Sequence, residues 1–507
     1  MLLALLPSCS GSQEKTLAEV KSPNIVLLVV DTLRGDMVSQ EDGSTNTPGF
    51  DSIAEDGVNF PSAFSHAPMT LPAHTSLFSS RAPFETGVLN NWQDVREDLP
   101  LLAEWLRERG YQTRAVVSLG TLDRRGQEAL GRGFDSFDQD YWHMDQAPRA
   151  LTRIRASLDK MEAERPFFLF AHFSDPHEPY NLHAESDKEA EVYLDGELVA
   201  TLSISDMSQW VGEFELELGK HELEIKSEAK FRINALEWTQ EKKFVGATWE
   251  QGKVRTPSKR VLISGMAKTK APTEIRVWIT ESVASAAERR NRYISEVNWM
   301  DTSIGEFVVE LKTRGIYDDT LILFTSDHGE SLGEHGAFGH VQNLYDEMIH
   351  VPLVIKPLAG DPRIEVLRSV RKTVVPHQDL VPTILELAGL PDLPGSRGTS
   401  LLSMKREALA IAETHKPEAN RNLICFRDSE FKLIYDSDKD AFELYDLEQD
   451  PGEENNVYGT RRNEREEWVA AIKRIADLAQ SGAMSEGEVS PETRELLDAL
   501  GYGGSDE

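Results

Sequence analysis

Cysteine is nearly missing from this chain: 507 residues contain only Cys9 and Cys425. Two cysteines exclude a disulfide framework, and Cys425 stands in no metal-ligand cluster. Positive charge is also short. Lys and Arg number 54 against 86 Asp and Glu, a net charge of −32, which excludes the basic surface that nucleic acid requires. That balance leaves room for an anionic substrate, because a bound cation reverses the potential inside one pocket. No stretch approaches the roughly 20 consecutive apolar residues of a membrane span. What the chain does have is ample core-forming material, 40% hydrophobic, and its length calls for one large domain with at least one smaller module.

The first residues, Met1-Leu-Leu-Ala-Leu-Leu-Pro-Ser-Cys9, form a short apolar run that ends at a cysteine and gives way to polar linker residues. The run resembles a bacterial lipoprotein signal, although Pro7 and the lack of early basic residues depart from that pattern. The expectation is export to the periplasm or cell envelope, with a lipidated Cys9 as a membrane tether. A disordered tail with a chance cysteine is the alternative.

From residue 22 onward, continuous β-branched runs alternate with helical periodicity. Residues 22–31, 114–118, 166–173 and 320–327 read as strands buried on both faces, and 101–110, 151–163 and 289–314 as helices between them. This alternation predicts a doubly wound α/β sheet. Two of the strands finish in acids, Asp31 and Asp327, at the ends where open sheets hold ligands. Residues 187–283 break the rhythm with alternating polar and apolar positions around turns such as Asp195-Gly196, the pattern of an inserted antiparallel β-sandwich. Trp210, Trp238 and Trp249 within it are candidates for stacking on sugars, against the commoner role of Trp as core. The division expected is a signal-like segment and linker over 1–21, an α/β domain in two parts over 22–186 and 284–400, the insert over 187–283, and a C-terminal subdomain and tail over 401–507.

Two short stretches carry chemistry. In Pro68-Met-Thr-Leu-Pro-Ala-His-Thr-Ser76 an apolar run meets a proline-flanked bend and then a helix, expected from Ala73, which places Thr70 where free N–H groups and the helix dipole favour an anion. Helix capping is the plain alternative for Thr70. Asp327-His328-Gly329-Glu330 sets a hard and a borderline donor side by side at a strand end, with Gly329 expected to permit a sharp turn.

With these are Asn24-Ile-Val-Leu-Leu-Val-Val-Asp-Thr-Leu-Arg34, Thr47-Pro-Gly-Phe-Asp51, Asp175-Pro-His-Glu-Pro-Tyr180, Val351-Pro-Leu353, Asp379-Leu-Val-Pro-Thr383 and Glu443-Leu-Tyr-Asp-Leu-Glu-Gln-Asp-Pro451. Together they resemble the sulfatase family of the alkaline phosphatase superfamily. The resemblance implies a mixed, doubly wound sheet with the β insert and a small C-terminal α+β subdomain. It implies a divalent metal held by Asp31, Asp327, His328 and Thr70, with Thr70 as nucleophile. His177 and His340 would hold the outer oxygens of the anion or, in two-metal relatives, part of a second site, and His74 would orient Thr70 or simply pack against the helix.

Two departures matter. Sulfatases proper carry an oxidisable Cys or Ser followed by x-Pro-x-Arg, where this chain has Thr70-Leu-Pro-Ala-His74, and threonine cannot mature to formylglycine. Phosphodiesterases, phosphonate hydrolases and phosphoethanolamine transferases of the superfamily use an unmodified Thr. Thr32 stands where many sulfatases place another acidic ligand, which favours zinc or manganese over calcium. The implied activity is metal-dependent hydrolysis of a sulfate-type or phosphate/phosphonate-type ester of a small molecule or glycan. A phosphoethanolamine-like transferase and a carbohydrate-binding protein with a decayed site are the alternatives. Among other polar residues, His172 reads as strand core, His335 and His350 as structural, Asp175 as shaping its loop, and Arg34 and Tyr180 as facing the pocket.

Overall fold

The central sheet has seven strands in the order Val58–Asn59, Leu353–Lys356, Thr320–Ser326, Asn24–Val30, Phe167–Phe173, Gln112–Val116, Ser136–Asp138. These come from a computed structural model that describes residues 22–481 apart from 41–43, 92, 123–129, 141–143, 181–187, 205–208, 241–242, 245–246, 249–256, 283–284 and 404–407. Cys9 and Trp249 therefore lie outside the described residues. Asn24–Val30 is flanked on both sides by parallel partners, with Ile25 opposite Leu321 in one and Phe168 in the other. Leu353–Lys356 pairs antiparallel with Thr320–Ser326, and Val58–Asn59 antiparallel with Leu353–Lys356 in turn, so the sheet is mixed.

The central strand carries apolar residues throughout because both its faces are covered. Ile25, Leu27 and Val29 point into one core, while Val26, Leu28 and Val30 point into a second. The second core is closed by the helix Ala286–Thr313, capped by the Ser285 hydroxyl, which accepts from the Glu288 N–H. Its Tyr293, Val297, Met300, Ile304, Phe307 and Leu311 recur at helical spacing on the buried face.

The insert is antiparallel, as its alternation requires, and among the described residues hydrogen bonding links eight strands continuously. The cause is the 22-residue strand Gly219–Gln240. Its first part pairs with Glu189–Leu194 and Ser258–Ala267, its later part with Thr273–Glu281, and register shifts at Lys226/Phe231 and Ile233/Ala235 mark the bulges between. Residues from both parts share one core around the fully buried Trp238. Trp238 is thus unavailable for stacking on a sugar.

The C-terminal region is a four-stranded antiparallel sheet, Ala410–Thr414, Leu423–Arg427, Phe431–Asp436 and Ala441–Asp446. The helix Glu466–Ser481 covers it with Trp468, Ile472 and Ile475. Among the described residues no helix is long and apolar enough to cross a membrane.

Candidate metal centre and active site

Asp31 and Asp327 leave the carboxyl ends of two adjacent parallel strands, and that adjacency brings residues nearly three hundred positions apart into contact. Together with His328 each offers a ligand atom, and these atoms lie within 4.8 Å of one another. All three side chains are fully buried. Asp31 Oδ1, Asp327 Oδ2 and His328 Nε2 make no hydrogen bond, a costly state for buried polar atoms unless something else satisfies them. The His328 Nδ1–H donates to the Gly329 carbonyl at 2.9 Å, which leaves the Nε2 lone pair facing the two acids. Two carboxylates and one imidazole fit a divalent cation in number, type and charge.

The electrostatics carry the same message. Burial and the neighbouring Asp31 charge push the Asp327 carboxyl well above its ordinary range, against hydrogen bonds from the Thr32 and His328 N–H groups. Burial also opposes ionisation of Asp31, but the nearby His172 imidazole and the charges of His177 and His328 hold it below the usual carboxylate range. Burial, assisted by His340, lowers His328 to about 3. Both acids cannot be ionised together without a compensating positive charge, and a metal ion is one.

Thr70 opens the helix Thr70–Ser79, three residues earlier than the sequence suggested, because Pro72 is tolerated in the first turn. Its hydroxyl lies 3.4 Å from Asp31 Oδ2. The helix end supplies fewer free donors than expected, since the Leu71 N–H is taken by Asn91 Oδ1 at 2.9 Å and Pro72 has none. One turn on, the His74 Nδ1–H donates to the Thr70 carbonyl at 2.7 Å and lies 3.5 Å from Asp327 Oδ2. His74 therefore links the Thr70 backbone to the acid pair. Burial, with the nearby His172 charge, drops it to about 3, so it works as a neutral ring.

The sulfatase profile matches residues 23–390. The chain belongs to the sulfatase family. The profile of the N-sulphoglucosamine sulphohydrolase C-terminal region matches residues 333–478, so the family extends over the four-stranded sheet as well. Among curated relatives, the N-acetylglucosamine-6-O-sulfatase of Bacteroides thetaiotaomicron is 22% identical over 97% of this chain and 91% of its own length. Among solved structures, BT4656 in complex with its substrate D-glucosamine-2-N,6-O-disulfate superposes with a TM-score of 0.62 at 18% identity, covering 92% of this chain and all of that one. The phosphonate monoester hydrolase of Agrobacterium radiobacter gives 0.58 at 19%, covering 90% and 96%. The sulfatase family is one of ester hydrolases, and this chain has its mixed α/β fold.

Around the sulfatase centre, His177 and His340 stand together, ring centroids 5.0 Å apart, and His340 lies 4.8 Å from His328. His340 gains from Glu330, whose Oε1 is 3.4 Å from its Nδ1 and raises its pKa even though burial opposes the charge. Glu330 is fully buried and its role was not foreseen, although it lies inside the quoted Asp327–Glu330 stretch. His172 is buried in its strand as expected, and its Nε2 also points at Asp31 Oδ2, 3.6 Å away. The strand alternation that buries it also aims it at the end of the neighbouring strand.

Gly329 is required for a reason other than a sharp turn, since a Cβ there would sit 2.1 Å from the Glu347 carbonyl oxygen. Thr32, at φ 57°, turns its hydroxyl back to the Asp31 carbonyl and supplies only its N–H to the site. Asp175 shapes the loop by accepting from the Ala147 N–H at 2.9 Å. Arg34 faces a different cavity of about 720 Å³, where it pairs with Asp36 and Glu334. That cavity is larger than the one at His177 and His340, and neither is lined by the three converging donors; the second lies beside them through His340, next to His328.

Proposed function

We propose that this chain hydrolyses an anionic ester, of phosphate or phosphonate type in preference to sulfate type, by attack of the Thr70 hydroxyl. The observation that carries the reading is the placement of that hydroxyl beside Asp31 and the three unsatisfied donor atoms. The Thr70 oxygen bonds to phosphorus as the bond from phosphorus to the leaving oxygen breaks. Asp31 Oδ2 is the nearest acceptor for the Thr70 proton, and the departing oxygen takes a proton from solvent at the open mouth. His177 and His340 bind the non-bridging oxygens through ring N–H groups; water then attacks the same phosphorus and gives up a proton to solvent, while the Thr70 oxygen leaves with the proton returned by Asp31. A divalent cation held by Asp31, Asp327 and His328, zinc or manganese by donor type, would supply Lewis acidity to the hydroxyl and offset charge on the transferred group.

The preference for phosphorus follows from threonine's single hydroxyl. With no second oxygen on the same carbon, the covalent ester is cleared only by water attacking the transferred atom itself. A panel of aryl phosphate, aryl methylphosphonate, phosphodiester and aryl sulfate, assayed with each metal, tests the reading. Turnover should be highest on a phosphorus ester and should vanish in Thr70→Ala. Aryl sulfate hydrolysis that persists in Thr70→Ala overturns it.

A further inference from the structure

The cavity that opens onto His177 and His340, about 410 Å³, is completed by the inserted sheet, which supplies Arg232, Ile233 and Trp278 to its wall. The insert is fastened there. Trp278 packs with Leu119 and Met144 in a small buried cluster of their own, and the Gln209 side chain donates to the Met144 carbonyl at 3.2 Å. Below them Arg292 of the long helix, 1% exposed, donates to Glu281 at the end of the same strand as Trp278, at 2.8 Å. The register shift between Ile233 and Ala235 falls in the segment that reaches the cavity, where a bulge re-aims side chains.

At this mouth two arginines meet one carboxylate: Arg289 and Arg232 both approach Glu178 Oε1, at 2.9 and 3.4 Å. Arg232 is the looser partner. Its Nε is buried without a hydrogen bond, and 39% of its side chain is exposed. In a protein of net charge −32, a surplus cation beside an apolar wall at the reaction mouth has a use in binding: it receives a negative group on the part of the substrate that is not transferred.

We propose that the insert builds the leaving-group subsite, and that it selects esters whose departing alcohol or phenol carries a carboxylate on an apolar ring. The apolar ring lies against Trp278, Ile233, Leu119 and Met144, and the carboxylate meets Arg232. This subsite rests on the reading of Thr70 as nucleophile only in saying which part of the substrate it holds.

The test compares 4-nitrophenyl phosphate with its 3-carboxy derivative, taking the ratio of their kcat/KM values so that intrinsic leaving-group effects cancel between variants. The ratio should fall about tenfold in Arg232→Gln and further in Arg232→Glu, one charge-assisted hydrogen bond being lost in the first and repulsion added in the second. Arg260→Gln, an exposed arginine elsewhere on the insert, should keep the wild-type ratio. In parallel, calorimetry measures binding of the released phenol, 5-hydroxy-2-nitrobenzoate, to Thr70→Ala protein with and without Arg232→Glu. Loss of that binding in the double variant supports the subsite whatever Thr70 does. Equal binding, or an unchanged ratio in Arg232→Glu, overturns the subsite and leaves the Thr70 reaction standing, whereas turnover that survives Thr70→Ala strikes the reaction alone.

Discussion

Two buried charge clusters in this molecule are built alike and finished differently. In the C-terminal region Lys432, fully buried, lies 2.5 Å from Asp346 and 2.7 Å from Glu453, and Arg427 adds a second cation 3.3 Å from Asp346. At the end of the central sheet Asp31 and Asp327 are as deeply buried, but their neighbours are the histidines 74, 172 and 328, two of which burial holds near pKa 3. One cluster contains its own counter-charge; the other needs one from outside. A buried acid pair without a cation is expensive to maintain, and its presence beside a hydroxyl marks a site where a charge is brought in, not one that braces the fold.

The sharpest way to break that contrast is at the hydroxyl. Thr70→Ala should lower kcat by at least about a thousandfold with metal content unchanged, while Thr70→Ser keeps part of the activity. Elemental analysis beside the assay checks both. Asp327→Asn comes next: metal content and activity should fall together, by more than the roughly 10–100-fold typical of an outer partner. Activity lost at full metal occupancy would remove Asp327 from the ligand set.

The C-terminal cluster should respond in stability instead. Lys432→Met strands two acids and is expected to cost about 3–5 kcal/mol in urea unfolding, while the folded fraction keeps its metal and its specific activity. The smallest effect concerns pH. Burial raises Glu453 to about 7, with Lys432 opposing, so between pH 4.5 and 7 the folded state retains a proton that the unfolded chain has released. Stability should therefore decline as pH rises through that window, by at most about 1.4 kcal/mol per pH unit. Glu453→Gln should flatten the decline, which unfolding curves taken across the window will show.

The strands that position the site were legible because they are buried on both faces, which leaves Asn24–Val30 and Thr320–Ser326 as unbroken apolar runs ending in acids. Asp31, Asp327, His328 and Thr70 were each found from a strand or helix end, and the structure gathers them. His172 and Glu330 were missed as neighbours because each matters only across a gap that local pattern does not span: one reaches an adjacent strand, the other a histidine ten residues on. The insert's alternation gave its strands, but not that a single long strand with two bulges would serve both parts. Nor did local sequence place Arg232 and Trp278 at the mouth of a site built by other segments.

The parallel pairing of Asn24–Val30 with Thr320–Ser326 has a consequence for how the molecule is made. The second strand leaves the ribosome almost three hundred residues after the first, with the whole insert between them. Until it arrives, the central strand has a partner on one side only, Phe167–Phe173, and an open edge on the other. Closing so long a loop is slow but costs little more than closing one half its length. The nascent chain thus carries an unpaired apolar edge until Thr320–Ser326 is made, and Asp31 meets Asp327 only when that edge is sealed. Folding and the completion of the donor set are one late event.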